Sequence, residues 1–447
     1  MRILLVYPPT RFSSYNTIGL RKPPLGLAYL AAVVKDQHEV KIVDFDIDKI
    51  DWRQYPYQAF DVVGISAETA KYPISLRIAA KAKERGATVV MGGPHVSFCD
   101  GDALRSGVVD FVIRNEGEHS FASFVKSLCG KTPIETVKGL SYLKNGEIRR
   151  TPDYPFIENL DSLPLPARDL LRLHLYGSRI EGRPTTTMMT SRGCPFTCNF
   201  CSSSQLFGHR WRTRSVESIF EEMELLHRKH GFTGICILDD TFTLDVDRAS
   251  KLSEKLEKKR WDLAWSALSH VRVVARNPGV FRRMARAGLR SVFIGFESGN
   301  QEVLEGYRKR ATVKESYEAM KILKENALKV TGSFIIGALN ESREMIDETI
   351  AFAKKLNPDS AQFTILTPYP GTKLYEQVRD RIFCSDWEAY TCLHPVLNLD
   401  HLSPRELKRL LAKAYFSFYG RPGKFIGNLR YLSSALSNSF GLLPRLR

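Results

Sequence analysis

The sequence predicts an α/β protein with an N-terminal doubly wound parallel sheet, a partial (β/α)6 barrel of TIM type, and a helical C-terminal segment. Three observations lead there. Short apolar runs alternate with helix-length segments from the first residues, and such βαβ units build parallel sheets. The alternation restarts after the proline-rich Leu163-Pro164-Leu165-Pro166 and runs through six further units. At 447 residues the chain exceeds one ordinary core.

In the first array the predicted strands are Ile3 to Tyr7, Val40 to Asp44, Asp61 to Ser66, Ala87 to Met91 and Phe111 to Ile113. Helices are predicted from Leu25 to Lys35 and from about Ser75 to Arg85. Ligands of such sheets sit at the strand carboxyl ends. The loops there carry Tyr7-Pro8-Pro9, Ser66 to Thr69, Gly92-Gly93-Pro94-His95 and Arg114-Asn115-Glu116-Gly117-Glu118. A connector follows, with Asn145-Gly146 as a hairpin turn.

The second array has strand candidates Thr187 to Thr190, Gly234 to Leu238, Leu263 to Ala267, Ser291 to Phe296, Thr331 to Ile336 and Ala361 to Leu366. Helices are predicted at Val216 to Arg228, Arg248 to Lys258, Pro278 to Ala287, Ser316 to Asn326 and Met345 to Leu356. A parallel barrel places its chemistry at the strand carboxyl ends. The segment after Pro370 reads as mostly helical. The expected domains are residues 1–140, a connector at 141–183, the barrel at 184–375, and a helical, basic region at 376–447.

The hydrophobic fraction, 43%, is that of a globular chain. No run approaches the roughly 18–20 apolar residues of a membrane span. The start, MRILLVYPPT, lacks the basic and long apolar regions of a signal peptide, so a cytoplasmic protein is expected. The formal charge is +16, and Pro404 to Arg447 holds nine Lys or Arg against Glu406 alone. Aromatic residues interleave these cations, as in Tyr415-Phe416-Ser417-Phe418-Tyr419 and Lys424-Phe425-Ile426. That mixture suits peripheral contact with anionic lipid or an acidic substrate, or a plain packed tail; nucleic acid is the least expected partner.

Three of the eight cysteines fall together, in Cys194-Pro195-Phe196-Thr197-Cys198-Asn199-Phe200-Cys201, directly after a strand. Cys99, Cys129, Cys236, Cys384 and Cys392 are scattered and read as free thiols. Cysteine thiolates are the usual iron–sulfur ligands, and three of them on a four-iron cube leave one iron open. A zinc site would want a fourth ligand close by, and only His209 follows near the motif.

With Phe200 before the last cysteine and Ser191-Arg192-Gly193 leading in, this motif resembles that of the radical S-adenosylmethionine (SAM) enzymes. Over essentially its whole length the chain resembles their cobalamin-binding branch. The resemblance implies a [4Fe–4S] cluster on Cys194, Cys198 and Cys201, SAM on the open iron, and cobalamin in the front domain. It also implies an electron donor such as flavodoxin or ferredoxin, and a 5′-deoxyadenosyl radical that takes hydrogen from the substrate. Further matches stand at strand ends: Leu238-Asp239-Asp240, Ile294-Gly295-Phe296-Glu297-Ser298, the turn Gly337 to Ser342, and Tyr369-Pro370-Gly371-Thr372. The SAM contacts so implied are Phe200, Asp239, Asp240, Glu297, Ser298, Ser333 and Tyr369. Leu339 and Asn340 replace the family's usual Pro and Gly, and His270 and Arg272 stand where an Arg is usual.

The front domain lacks the Asp-x-His-x-x-Gly of His-ligated cobalamin proteins, so no protein His is expected on cobalt, His95 included. Contacts implied there are Tyr7, Pro8, Ser66, Glu68, Gly92, Gly93 and Glu116. Methyl transfer to an unactivated carbon is the commonest chemistry of the branch. Oxidative ring formation or hydroxylation is the alternative, as in the anaerobic magnesium-protoporphyrin ester cyclase. A tRNA methylthiotransferase would need a second cysteine cluster, for which the front domain offers only Cys99 and Cys129. A non-catalytic iron–sulfur or cobalamin sensor is the binding-protein reading. The expected substrate is a small, amphiphilic or anionic molecule, lipid-like or a tetrapyrrole.

Overall fold

The structure is a computed structural model that describes residues 1–9, 21–421 and 424. The described chain forms two compact units. The first takes residues 1–9, 22–177 and 202–213; the second takes 21, 178–201, 214–421 and 424.

The first unit is built on a seven-stranded sheet of order β2-β1-β3-β4-β5-β6-β7. Its strands are β1 (Arg2–Tyr7), β2 (Glu39–Asp44), β3 (Val62–Ser66), β4 (Thr88–Gly92), β5 (Phe111–Ile113), β6 (Leu140–Lys144) and β7 (Glu147–Arg150). The first five are parallel. Ile3, Leu5, Val62 and Val90 lie in one buried core cluster with residues of the helices Leu25–Ala32 and Glu118–Leu128. The order reverses between β1 and β3, so their carboxyl ends, Tyr7 and Ser66, flank the switch-point crevice where doubly wound folds take ligands. One expectation is corrected here. The Asn145-Gly146 hairpin is no connector: β6 pairs antiparallel with β5 and extends the sheet, because Phe111 and Tyr142 pack across the two strands at 6.1 Å.

The second unit holds β8 (Arg179–Ile180), β9 (Arg183–Met188), β10 (Gly234–Ile237), β11 (Ala264–Ser269), β12 (Leu289–Glu297), β13 (Lys329–Ile336) and β14 (Ser360–Ile365). From β9 to β14 the strands are parallel and lie in sequence order, the layout of an open barrel edged by β14 and the short antiparallel β8. Helices cross between successive strands, among them Val216–Arg228, Val246–Lys259, Val313–Glu325 and Arg343–Leu356. The first ends close to its predicted limits because Ser215 caps its start through the Ser218 amide and basic residues fill its last turn.

The segment after Pro370 departs from the expected helix. Between Gln377 and Pro404 it is irregular, with two 3-10 turns and a single bridge from Ile382 to Leu397. Cys392 has φ 62°, a left-handed conformation that no helix accommodates. The helix Pro404–Tyr419 follows, opened by a Ser403–Glu406 capping box. It lies along the free edge of β14, where the Ile365 amide donates to the Cys392 carbonyl at 2.7 Å. The tail cations and aromatics of residues 425–447 lie outside the described residues. Among the described residues no helix is long and apolar enough to cross a membrane.

Candidate active site

The cysteine loop leaves β9 through Gly193, whose φ of +83° turns the chain. Cys194, Cys198 and Cys201 are half-buried and none is in a disulfide. The Phe196 ring stacks on His270 at 4.0 Å and 11°, and His270 Nε2 sits 3.1 Å from the Lys309 carbonyl oxygen. The Asn199 amide donates to the Tyr307 carbonyl, and the Asn199 carbonyl accepts from the Leu374 amide. Phe200 meets Tyr307 edge-on at 5.1 Å. The loop is therefore held from both flanks. Burial pushes the Cys194 and Cys198 thiols above their ordinary range, and the Lys309 ammonium works against that rise at both.

Glu297 ends β12 with φ 60° at a bulge that shifts the register between Gly295 and Glu297. Bulges re-aim side chains, and this one turns the carboxylate onto Lys309, whose Nζ donates to Glu297 Oε1 at 2.6 Å. Both residues are buried. The pair lies across Gly295: a Cβ there would stand 2.2 Å from Glu297 Oε1 and 2.9 Å from Lys309 Nζ. Lys309 escaped the sequence reading because it sits in a run of three cations, Arg308-Lys309-Arg310, that looks like a solvated surface; the outer two are exposed.

Three expected contact residues have polar atoms engaged within the chain. Asp239 is buried and accepts from the Thr190 amide (2.6 Å), the Thr190 and Ser191 hydroxyls, and Arg248 at 3.5 Å. Its carboxylate ties the end of β10 to the end of β9. Ser298 is fully buried, its hydroxyl with Thr349 at 2.9 Å and accepting from the Asn300 amide. Glu116, in the front unit, accepts from Arg212 at 2.8 and 3.0 Å and from the Ile157 amide at 2.8 Å, which makes it part of a buried ion pair. Arg212 itself bears no sequence signal; its pairing spans almost a hundred residues.

Asp240, by contrast, is exposed at the end of β10 and acts electrostatically on Cys194. Ser333 is half-buried on β13, level with Gly295. The Tyr369 hydroxyl donates to the Tyr390 carbonyl at 3.0 Å, so it anchors the irregular C-terminal stretch. Beside the cysteine loop a cavity of about 320 Å³ is lined by Asn199, Val303, Tyr307, Leu339, Glu341 and Leu366, among others. Glu341 Oε2 accepts from the Gly337 and Ala338 amides, while its Oε1, the Tyr307 hydroxyl and Asn199 Oδ1 have no hydrogen-bond partner. Burial raises Glu341 to about 7.

At the front sheet's switch point, the Tyr7 hydroxyl donates to Glu68 at 2.9 Å. Lys71 stands 3.5 Å from the Tyr7 ring centroid and donates to the Pro8 carbonyl and to Asp46. One buried lysine thus gathers Tyr7, Pro8 and the Glu68 loop. Gly92 and Gly93 end β4; Gly93, at φ +108°, passes so close to Ala67 that a Cβ would meet its backbone at 3.0 Å. The ledge they form with Ser66 carries little side-chain bulk. His95 is buried against Tyr72 at 4.2 Å, and burial holds it down at about 4, so it is a neutral imidazole inside the unit.

Two family models match this chain: the Radical SAM superfamily over residues 188–353 and the B12 binding domain over 15–125. The first covers the barrel and cysteine loop, the second the front sheet, and together they define a radical SAM enzyme with a B12-binding domain. The chain is 42% identical over 442 residues to an uncharacterized methyltransferase of Pyrococcus horikoshii, covering 96% of this chain and 95% of that one. It is 27% identical to the anaerobic magnesium-protoporphyrin IX monomethyl ester cyclase of Rubrivivax gelatinosus, covering 94% and 77%. A solved cobalamin-dependent S-adenosylmethionine radical enzyme, OxsB, with aqua-cobalamin and S-adenosylmethionine bound, has the same fold: TM-score 0.77, 16% identity, 98% of this chain and 72% of that chain covered. The chain belongs to the cobalamin-dependent radical SAM methyltransferase family. Its cofactors are a [4Fe–4S] cluster, SAM and cobalamin, and a small-molecule substrate and an external electron donor go with that chemistry.

Proposed function

We propose that this enzyme methylates an unactivated carbon of a small amphiphilic molecule, with Cys194, Cys198 and Cys201 as the cluster ligands. The observation that carries the reading is one short loop with three half-buried thiols free of disulfides, beside a buried cation. The residues fit the group: three soft sulfur donors are what an iron–sulfur cluster requires, and the Phe196–His270 stack holds their backbone in place. When bound, the cluster and SAM supply a carbon radical generator, and cobalamin supplies a methyl carrier.

The chain's own groups bind and orient. Asp240, exposed beside Cys194, replaces Asp239 as the acceptor for the SAM amino group. Ser333 and Phe200 line the SAM side, and the cavity with its three unpartnered polar atoms takes the adenosine end. Glu297 acts through Lys309, and Tyr369 by pinning the C-terminal stretch over the loop after β14. In the front unit Tyr7, Pro8, Glu68, Ser66, Gly92 and Gly93 form the cobalamin ledge, and the buried Glu116–Arg212 pair supports the loop behind it. The glycines let backbone approach a bulky planar ligand. The amphiphilic substrate follows from the nine cations of residues 404–447, in which Arg405, Arg409 and Phe416 are exposed on the described helix. The same surface supports peripheral membrane contact, and flavodoxin or ferredoxin is the electron donor we propose.

The test is anaerobic reconstitution with iron, sulfide and hydroxocobalamin, then SAM and a low-potential reductant. Release of 5′-deoxyadenosine together with cobalamin-dependent S-adenosylhomocysteine is the expected outcome. 5′-Deoxyadenosine alone, in the presence of candidate substrates that are ring-closed or hydroxylated, would replace methylation with oxidative cyclisation.

A further inference from the structure

We propose that the inner face of the second unit's sheet holds an uncharged, hydrogen-bonding part of the substrate, and that Gln362 is the side chain that reads it. This rests on the reading of the open barrel as the place of reaction. It narrows the substrate class, because any charge the molecule carries then stays off this face.

Aromatic packing shows which face is which. Phe296, Phe334 and Phe363 stack in a row at 5.8 and 5.2 Å, and the first two meet Phe352 of the helix Arg343–Leu356 edge-on. These rings face the helices. Strand side chains alternate between faces, so Phe293, Thr331, Ser333, Ser360 and Gln362 stand on the opposite, inner one. Thr331 and Ser360 agree with that: they are register partners with hydroxyls 2.8 Å apart. One pleat further, Gly295, Ser333 and Gln362 are in register across β12, β13 and β14. Gln362 is therefore one strand beyond Ser333, on the edge strand of the open barrel.

Gln362 is 8% exposed, yet its side-chain amide has no hydrogen-bond partner among the described residues. Buried polar groups are otherwise paired, and leaving one unmade is costly. An apolar side chain would fill the same place without that cost, so the amide points to a ligand. Beside it, Leu268 and Phe293 are register partners, both half-buried, and supply apolar surface. No charge stands in these two rows. Glu297, at the carboxyl end of β12, is joined to Lys309; Arg290 and Lys329, at the amino ends of β12 and β13, both meet Glu181. An ionised group brought here would lose hydration and find no free counter-charge. A primary amide, with two donors and an acceptor, pairs instead with neutral amides, hydroxyls or ring carbonyls.

The experiment uses the reconstituted enzyme loaded with SAM and hydroxocobalamin, without reductant, so that nothing turns over. Octanamide, octanoate and octylammonium, which differ only in the head group, are titrated by calorimetry into wild type, Gln362→Leu and Gln362→Glu of equal cofactor content. Only the part of each affinity that changes with the variant reports this face, since the cations of Pro404–Tyr419 can hold octanoate elsewhere. Gln362→Leu is expected to weaken octanamide roughly tenfold, as a lost buried hydrogen bond does, and to leave both charged probes unchanged. Gln362→Glu is expected to weaken octanamide and tighten octylammonium. Absence of octanamide binding to wild type, equal octanamide affinity in wild type and Gln362→Leu, or a parallel loss of octanoate there overturns the proposal. If Gln362→Leu does not fold, Gln362→Glu decides, and an unchanged order of probes is equally fatal. No methyl group moves in this measurement. A reconstitution assay without S-adenosylhomocysteine would therefore remove the methylase reading and leave the probe result standing, and the reverse holds as well.

Discussion

The Tyr419 hydroxyl both donates to the Ala361 carbonyl, at 2.7 Å, and accepts from the Ala361 amide, at 2.8 Å. Tyr415 does the same to Phe363, at 3.0 and 3.2 Å. The spacing explains why two tyrosines serve. Four helical residues rise about 6 Å, close to the roughly 6.6 Å of two strand residues, so hydroxyls one turn apart meet alternate residues of the edge strand. Edge strands invite pairing with foreign chains; side chains close this one.

Removing either hydroxyl leaves an amide and a carbonyl buried without partners. Tyr419→Phe is expected to lower stability by about 1–3 kcal/mol, with SAM cleavage per folded molecule unchanged. Urea unfolding of both proteins checks this. A variant as stable as wild type would mean that water reaches the edge.

The two neighbouring aspartates should separate cleanly. Asp239→Ala strands the buried Arg248 and is expected to cost about 3–5 kcal/mol of stability. Asp240→Asn should leave stability alone and weaken SAM binding roughly ten- to a hundredfold, the worth of a charge-assisted hydrogen bond. Calorimetric unfolding and SAM titration of each variant read the two effects; the reverse pattern would return the SAM contact to Asp239.

Cys198→Ala should take up less than a full four-iron cluster and release no 5′-deoxyadenosine. Iron analysis and chromatography of the quenched reaction measure both. Undiminished 5′-deoxyadenosine would rule out the cluster assignment.

Acid should expose His95. Its folded value of about 4 lies below the ordinary 6.5, so between those values the unfolded chain binds the proton first. This contribution is therefore full above pH 6.5 and is lost as pH falls to about 4, to a limit of roughly 3 kcal/mol. In His95→Phe that part of the acid slope should vanish. Denaturation midpoints from pH 7 to pH 4 test it, and parallel curves for the two proteins would contradict a buried neutral imidazole.

Local signals carried most of the fold. The apolar periodicity of Val216–Arg228 and the strand runs of both arrays depend on nearest neighbours, and the structure places those elements close to the predicted limits. The cysteine spacing likewise needs no tertiary information. What escaped depends on partners far along the chain. Asp239, Ser298 and Glu116 each stand in a matching position, yet Thr190, Thr349 and Arg212 occupy their polar atoms. A strand-end carboxylate and a buried clamp look alike in sequence; only the distant partner distinguishes them. Lys309 shows the converse, a core charge hidden between two exposed arginines. The irregular run before Pro404 misled because its aromatic and apolar residues pack against the barrel without any repeating period.

The membership of Ser202–Thr213 in the first unit has a consequence for how such genes can be recombined. A crossover near residue 177 would transplant Glu116 without Arg212, and a recipient with no cation at the matching position would inherit a desolvated carboxylate without its counter-ion. Exchange of cobalamin domains with such a relative is therefore expected to succeed only when the stretch after Cys201 travels with them.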